Sequence, residues 1–67
     1  MASIFKMIEL VGTSPKSIED AVNNALASKA AKKNGRWFQV VETRGAIKDG
    51  QVTEWQVTVK VGVKAEE

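Results

Sequence analysis

The chain contains no cysteine and no histidine. Disulfides and the usual zinc and haem sites are therefore excluded, and no metal site is expected. No apolar run is long enough to span a bilayer, and no signal-peptide pattern is present, so a cytoplasmic protein without a membrane partner is expected. An excess of one charge is also missing: 10 basic residues stand against 8 acidic ones, interspersed, for a net charge of +2. That is too mild to imply a nucleic-acid partner. Glu9, Glu42 and Glu54 are scattered along strand-like segments with no partner for acid–base work, so an enzyme is not expected. Length is scarce too. A domain of 67 residues buries only about 60% of the surface its unfolded chain exposes. Ordering costs roughly 1.5 kcal/mol per residue, so the first-pass stability comes out near zero. With bridges and metals excluded, association is the remaining route, and the chain is expected to be one subunit of a homo-oligomer.

What is present is ordered as β-α-β-β. Ser3 to Val11 is rich in Ile, Phe, Met, Leu and Val and reads as a strand that stops at the turn residues Gly12-Thr13-Ser14-Pro15. Ser17 is placed to cap a helix whose first turn carries Glu19 and Asp20, with Ser14-Pro15 as a competing start. Ile18, Ala21, Val22, Ala25 and Leu26 recur at three- and four-residue spacing, and Ala30 extends the stripe. Asn34-Gly35 supplies a stop. Lys29, Lys32 and Lys33 suit the negative end of such a helix. Arg36 to Ile47 and Gln51 to Val63 flank Lys48-Asp49-Gly50, where Asp-Gly between two β-rich runs predicts a hairpin. The fold class is α+β: a β-α-β-β module with a three-stranded sheet and one helix.

A two-residue turn at Asp49-Gly50 pairs Lys48 with Gln51 and, counted back without interruption, Arg44 with Trp55 and Thr43 with Gln56. Partners point to the same face. Phe38, Val40, Trp55, Val57, Val59 and Val61 then form an apolar face for the helix, with Glu42 and Arg44 towards the turn on the same side, either past the end of the helix or paired with each other or with another subunit. The opposite face carries Trp37, Gln39, Val41 and Thr43 with Val52, Gln56, Thr58 and Lys60. One helix covers one face, so this mixed face stays open. A large aromatic on such a face suggests a partner or a ligand.

Two residues of the open face are singled out. Trp37 is either a stacking platform for a flat aromatic ligand or an anchor in a subunit interface. Gln56 carries an amide that donates and accepts at once, which suits a heterocycle edge; otherwise it is a solvated strand residue. About 20 Å of strand separates them, so one small ligand touches both only if they come from different subunits. Two weaker candidates are a cation–π contact between Arg44 and Trp55 and an anion site at the Gly12-Thr13-Ser14 turn.

Four segments together resemble the dodecins over nearly the whole chain. They are Ile8-Glu9-Leu10-Val11-Gly12-Thr13-Ser14, Ser17-Ile18-Glu19-Asp20-Ala21-Val22, Trp37-Phe38-Gln39-Val40-Val41-Glu42-Thr43-Arg44-Gly45, and Trp55-Gln56-Val57-Thr58-Val59-Lys60-Val61-Gly62. The resemblance implies one dodecin-like domain over 1–67, a three-stranded antiparallel sheet wrapped around one helix, and a hollow homododecamer made of trimers; residues 65–67 read as a frayed tail. It implies flavins (riboflavin, lumichrome, FMN or FAD) bound in pairs between subunits, with a tryptophan stacked on the isoalloxazine and a glutamine on its polar edge. Those residues match Trp37 and Gln56. Storage or sequestration of flavin, with its photochemistry quenched by the stacked indole, is the implied role, and some members also bind coenzyme A. The chain departs from the pattern in a shorter Ala31–Arg36 segment, which lacks the apolar residue common before the tryptophan, and in Val63 where Phe is common. Two rival readings stand beside this one. The first is a ligand-free structural or interaction oligomer. The second is a coenzyme A or nucleotide binder using basic residues such as Lys32 and Lys33.

Overall fold

The computed structural model describes residues 3–65. It contains β1 (Phe5–Ser14), α1 (Ile18–Leu26), α2 (Lys29–Asn34), β2 (Gly35–Lys48) and β3 (Gln51–Lys64). The three strands form one antiparallel sheet in the order β1-β3-β2. The ladder continues past β3, where the Ala65 N–H donates to the Ile4 carbonyl. Of the tail expected to fray, Glu66 and Glu67 lie outside the described residues.

The expected turn at Asp49-Gly50 is present, and both residues have positive φ, 53° and 75°. That pair of signs matches the right-handed twist of the strands it joins, which is why Asp-Gly works there. The single helix expected after Ser17 is instead two. Ser17 caps α1 by accepting the Asp20 N–H at 3.0 Å. Ser28 then adopts an extended backbone, and its hydroxyl accepts the Ala31 N–H, starting α2. A serine that offers the backbone an alternative partner interrupts a helix in this way. The break shifts the apolar phase, so Ala31 rather than Ala30 is buried. β1 also runs on through Gly12, Thr13 and Ser14, which stay paired with Val57, Gln56 and Trp55.

α1 lies against Gly12, where any Cβ would collide with the Ala21 carbonyl oxygen. Asn24 pins the helix to the strand by donating to the Thr13 carbonyl at 2.8 Å. The core joins Ala21, Val22, Ala25 and Ala31 to Val57, Val59, Val61 and Val63, with Ile8, Leu10, Leu26 and Trp55 around it. The four β3 valines alternate along the central strand, so every second residue faces the helices. Phe38 and Val40, expected beneath the helix, are exposed. β3 separates β1 from β2, and the helices lie mainly over β1 and β3. β2 is left as a 14-residue edge strand without a single buried residue. Beyond the Ser14–Trp55 pair the hairpin continues as two strands alone, which makes the molecule a thin slab of 54 × 18 × 13 Å.

Candidate functional site

Trp37 pairs with Gly62 on the sheet face that no helix covers. A Cβ at Gly62 would collide with Cε2, Cζ2 and Cδ2 of Trp37, so the indole lies directly over the glycine. Phe5 flanks it from β1, with ring centroids 6.3 Å apart and planes inclined by 57°, a tilted aromatic contact within the favoured range. The ring is held from beneath and from one side, yet the residue remains 44% exposed. The short approach from α2 is absorbed at once: Gly35 pairs with Val63, and Arg36 is the extra residue of a bulge before Trp37.

Gln56 lies on the same open face, opposite Arg44. The uninterrupted register placed Thr43 there. Two bulges make the difference, with Val41 extra on β2 and Thr53 extra on β3. They compensate, so the pairs on either side of the displaced stretch, Trp37 with Gly62 and Lys48 with Gln51, are as expected, while Glu42 to Ala46 are shifted. Glu42 and Arg44 therefore move from the helix side to the open side. Trp55 faces Gly45, and the expected cation–π contact with Arg44 is replaced by a hydrogen bond from Arg44 Nε to Gln56 Oε1 at 2.9 Å. Gln56 Nε2 in turn donates to Glu54 Oε1 at 3.0 Å. Glu42 Oε1 sits 3.6 Å from Arg44 Nη1. A line of four polar side chains, Glu42–Arg44–Gln56–Glu54, thus crosses the arm of the hairpin.

The pairing of Glu42 with Arg44 was among the sequence expectations; what sequence reasoning missed is Arg44 as a partner of Gln56. The available signal was the misfit itself: an unbroken register put two charges on the core face, and the adjacent Val40-Val41 breaks the alternation a regular strand would show.

Trp37 and Gln56 are not brought together within the chain. The stretch of β3 from Gln56 to Gly62 spans roughly 20 Å at about 3.3 Å per residue. The cleft beside Trp37, lined also by Leu26, Ala31, Arg36, Phe38 and Val61, has a volume of about 180 Å³. Pockets that enclose a drug-sized ligand run to about 300–1,000 Å³, so this cleft by itself does not enclose a tricyclic ring. A second, wider cleft of about 470 Å³ lies where β1, β3 and α2 meet, with Lys6, Lys29 and Lys33 around Ile8, Ala30 and Val63. Lys33, singled out from the sequence, lines it; Lys32 does not.

The weak anion-site candidate at Gly12-Thr13-Ser14 is already filled by the chain's own groups. Ser14 donates to Asp20 Oδ2 at 2.7 Å and accepts the Lys16 N–H at 2.9 Å, and a carboxylate at that position repels an anion. Among the described residues, no cluster of three acidic or other metal-ligating side chains is present, and no helix is long and apolar enough to cross a membrane.

The Dodecin family model matches residues 4–66. A curated dodecin of Thermus thermophilus is 41% identical over 68 aligned residues, covering 100% of this chain and 99% of the relative. Among solved structures, the dodecin of Streptomyces davaonensis superposes with a TM-score of 0.89 at 39% identity and full coverage of both chains. That of Streptomyces coelicolor gives 0.87 at 42% identity, covering 97% of this chain and 94% of the other.

Proposed function

The chain belongs to the dodecin family, and on that footing we propose that it is a non-enzymatic flavin-binding protein. It stores or sequesters riboflavin, lumichrome, FMN or FAD in the cytoplasm, within a hollow homododecamer. The observation that carries this reading is Trp37: an indole seated on Gly62, braced by Phe5 and left 44% exposed on the open face of the sheet. A fixed aromatic plane with a free side is what a stacked ring needs. Gln56 keeps one unused lone pair on Oε1 and one unused hydrogen on Nε2, which fits the polar edge of the flavin's pyrimidine ring. Since the two residues lie about 20 Å apart along the strand, they serve one ligand only across two subunits. β2 supports association: it is an edge strand with Trp37, Phe38, Val40, Val41 and Ile47 all exposed, and such an edge invites a second copy.

The test is a fluorescence titration of riboflavin with the purified protein. Emission is expected to be quenched, and Trp37→Ala to remove most of the quenching while the assembly persists on size exclusion. Undiminished riboflavin emission at saturating protein refutes the reading. Loss of the assembly in Trp37→Ala favours the ligand-free oligomer with Trp37 as an interface anchor.

A second reading is favoured by the lysine-lined cleft: binding of a phosphate-bearing coenzyme such as coenzyme A, with Lys6, Lys29 and Lys33 around the phosphates and Ile8, Ala30 and Val63 against its apolar part. It predicts binding that weakens steeply between low and physiological salt and that falls in Lys33→Ala.

A further inference from the structure

We propose that Arg44 and Glu54 are positioning residues that fix the orientation of the Gln56 amide, and with it the kind of ligand edge the site accepts. This inference rests on the flavin reading. A guanidinium only donates hydrogen bonds and a carboxylate only accepts them. Arg44 Nε lies 2.9 Å from one end of the amide and Glu54 Oε1 lies 3.0 Å from the other. Chemistry therefore decides which end is which: oxygen towards Arg44, nitrogen towards Glu54. The flipped amide would set donor against donor and acceptor against acceptor. Glu42, 3.6 Å from Arg44 Nη1, steadies the guanidinium from its far side.

With one bond used at each end, the amide presents one acceptor on the Arg44 side and one donor on the Glu54 side. The complementary ligand edge is an N–H beside a carbonyl in one fixed order, as in the imide of the flavin's pyrimidine ring. The pair of compensating bulges is what puts Arg44 in place. With Thr43 opposite Gln56, as in an unbulged ladder, a short hydroxyl that both donates and accepts would leave the amide free to turn over. Pre-ordering a glutamine spares the ligand the cost of freezing it, worth roughly tenfold in affinity at most. Because Arg44 is exposed, the expected gain lies between that ceiling and about a third of it, about three- to tenfold.

The experiment is a double-mutant cycle on the assembled protein: riboflavin dissociation constants for wild type, R44M, Q56A and the double variant, each checked for assembly by size exclusion. R44M keeps the aliphatic length and removes the donors. It is expected to weaken riboflavin by about three- to tenfold, and the double variant to bind no more weakly than Q56A. A second readout is 3-methylriboflavin, which lacks the imide hydrogen. Wild type is expected to discriminate against it, and R44M to lose that discrimination, which a merely structural role for Arg44 would leave intact. If R44M does not assemble, R44K enters the same cycle, and its effect is again expected to vanish in the Q56A background. Losses that multiply in the double variant overturn the proposal. So does a loss in R44M confined to FMN, which would put Arg44 on the phosphate instead. Failure of wild type to bind riboflavin is a different result, and it removes the flavin reading itself.

Discussion

Gly62→Ala tests the seat of Trp37 without touching any polar group. The new methyl would collide with Cε2, Cζ2 and Cδ2 of the indole. To regain the ~3.5–4.0 Å separation of carbon atoms in contact, the ring must lift by roughly 1.5 Å. Overpacking in a closed core costs about 1–3 kcal/mol. Here the ring has open space above it, since Trp37 is 44% exposed, so the stability loss falls at the low end, about 1 kcal/mol. Ligand binding has no such relief, because the lifted ring enters the space a stacked flavin would occupy. Stacking on an aromatic side chain is worth about 1–3 kcal/mol, and each 1.4 kcal/mol is about tenfold in affinity. Riboflavin is expected to bind about 10- to 100-fold more weakly. Quenching titrations measure the affinity, and urea unfolding measures the stability. Trp55 also emits, so the tryptophan spectrum that reports ring displacement is read in a Trp55→Phe background. Wild-type riboflavin affinity together with wild-type stability in Gly62→Ala would refute the reasoning, because the close approach of ring and strand is its only premise.

Three further outcomes follow from the same geometry. Gly12→Ala sets a methyl against the Ala21 carbonyl oxygen, and because backbone yields less than a side chain, a loss of about 3 kcal/mol in urea unfolding is expected. Val59→Ala removes two methyl groups from a fully buried position in the middle of β3 and is expected to cost about 2–3 kcal/mol while leaving riboflavin affinity unchanged in whatever protein remains assembled. Co-refolding equal amounts of Trp37→Ala and Gln56→Ala protomers is expected to restore about one quarter of the wild-type quenching sites, since in an interface related by a two-fold axis only mixed pairs rebuild a site, and each rebuilds one; no recovery would place both residues in a single-chain site.

The order of the strands and the place of the helical segment, the Asp49-Gly50 turn and the side of the sheet that Trp37 and Gln56 occupy were legible in the sequence because each rests on a strong local rule. An Asp-Gly turn fixes its own register, and alternation carries that register along the strands. What escaped is equally local. The bulges at Val41 and Thr53 carry no glycine or proline to mark them, and because they compensate they leave the far ends of the hairpin in agreement. The helix break at Ser28 escaped because serine is neutral in a helix face and decisive only once its hydroxyl takes a backbone N–H. The exposure of Phe38 and Val40 followed from strand order. Inserting β3 between β1 and β2 moves the second strand out from under the helices, and alternation is silent about which strand is central.

On the proposed function, that strand order also accounts for how binding and assembly would share one short chain. The helices cover β1 and β3, and four buried valines of β3 supply most of the strand side of the core. β2 thereby keeps its outer edge unpaired and its apolar residues exposed, so one surface available to a second copy is the strand that carries Trp37 and Arg44. Trp37 stands near the helix end of that surface and the Glu42–Arg44–Gln56–Glu54 line stands along its arm. In an isologous contact, residue i of one copy meets residue j of the other and j meets i. On the function proposed above, two such surfaces laid antiparallel about a two-fold axis would bring the aromatic seat of each copy against the amide of the other, giving two equivalent sites per interface. The separation of Trp37 from Gln56, too long for one ligand to touch both within a single chain, would then be the spacing that two chains require.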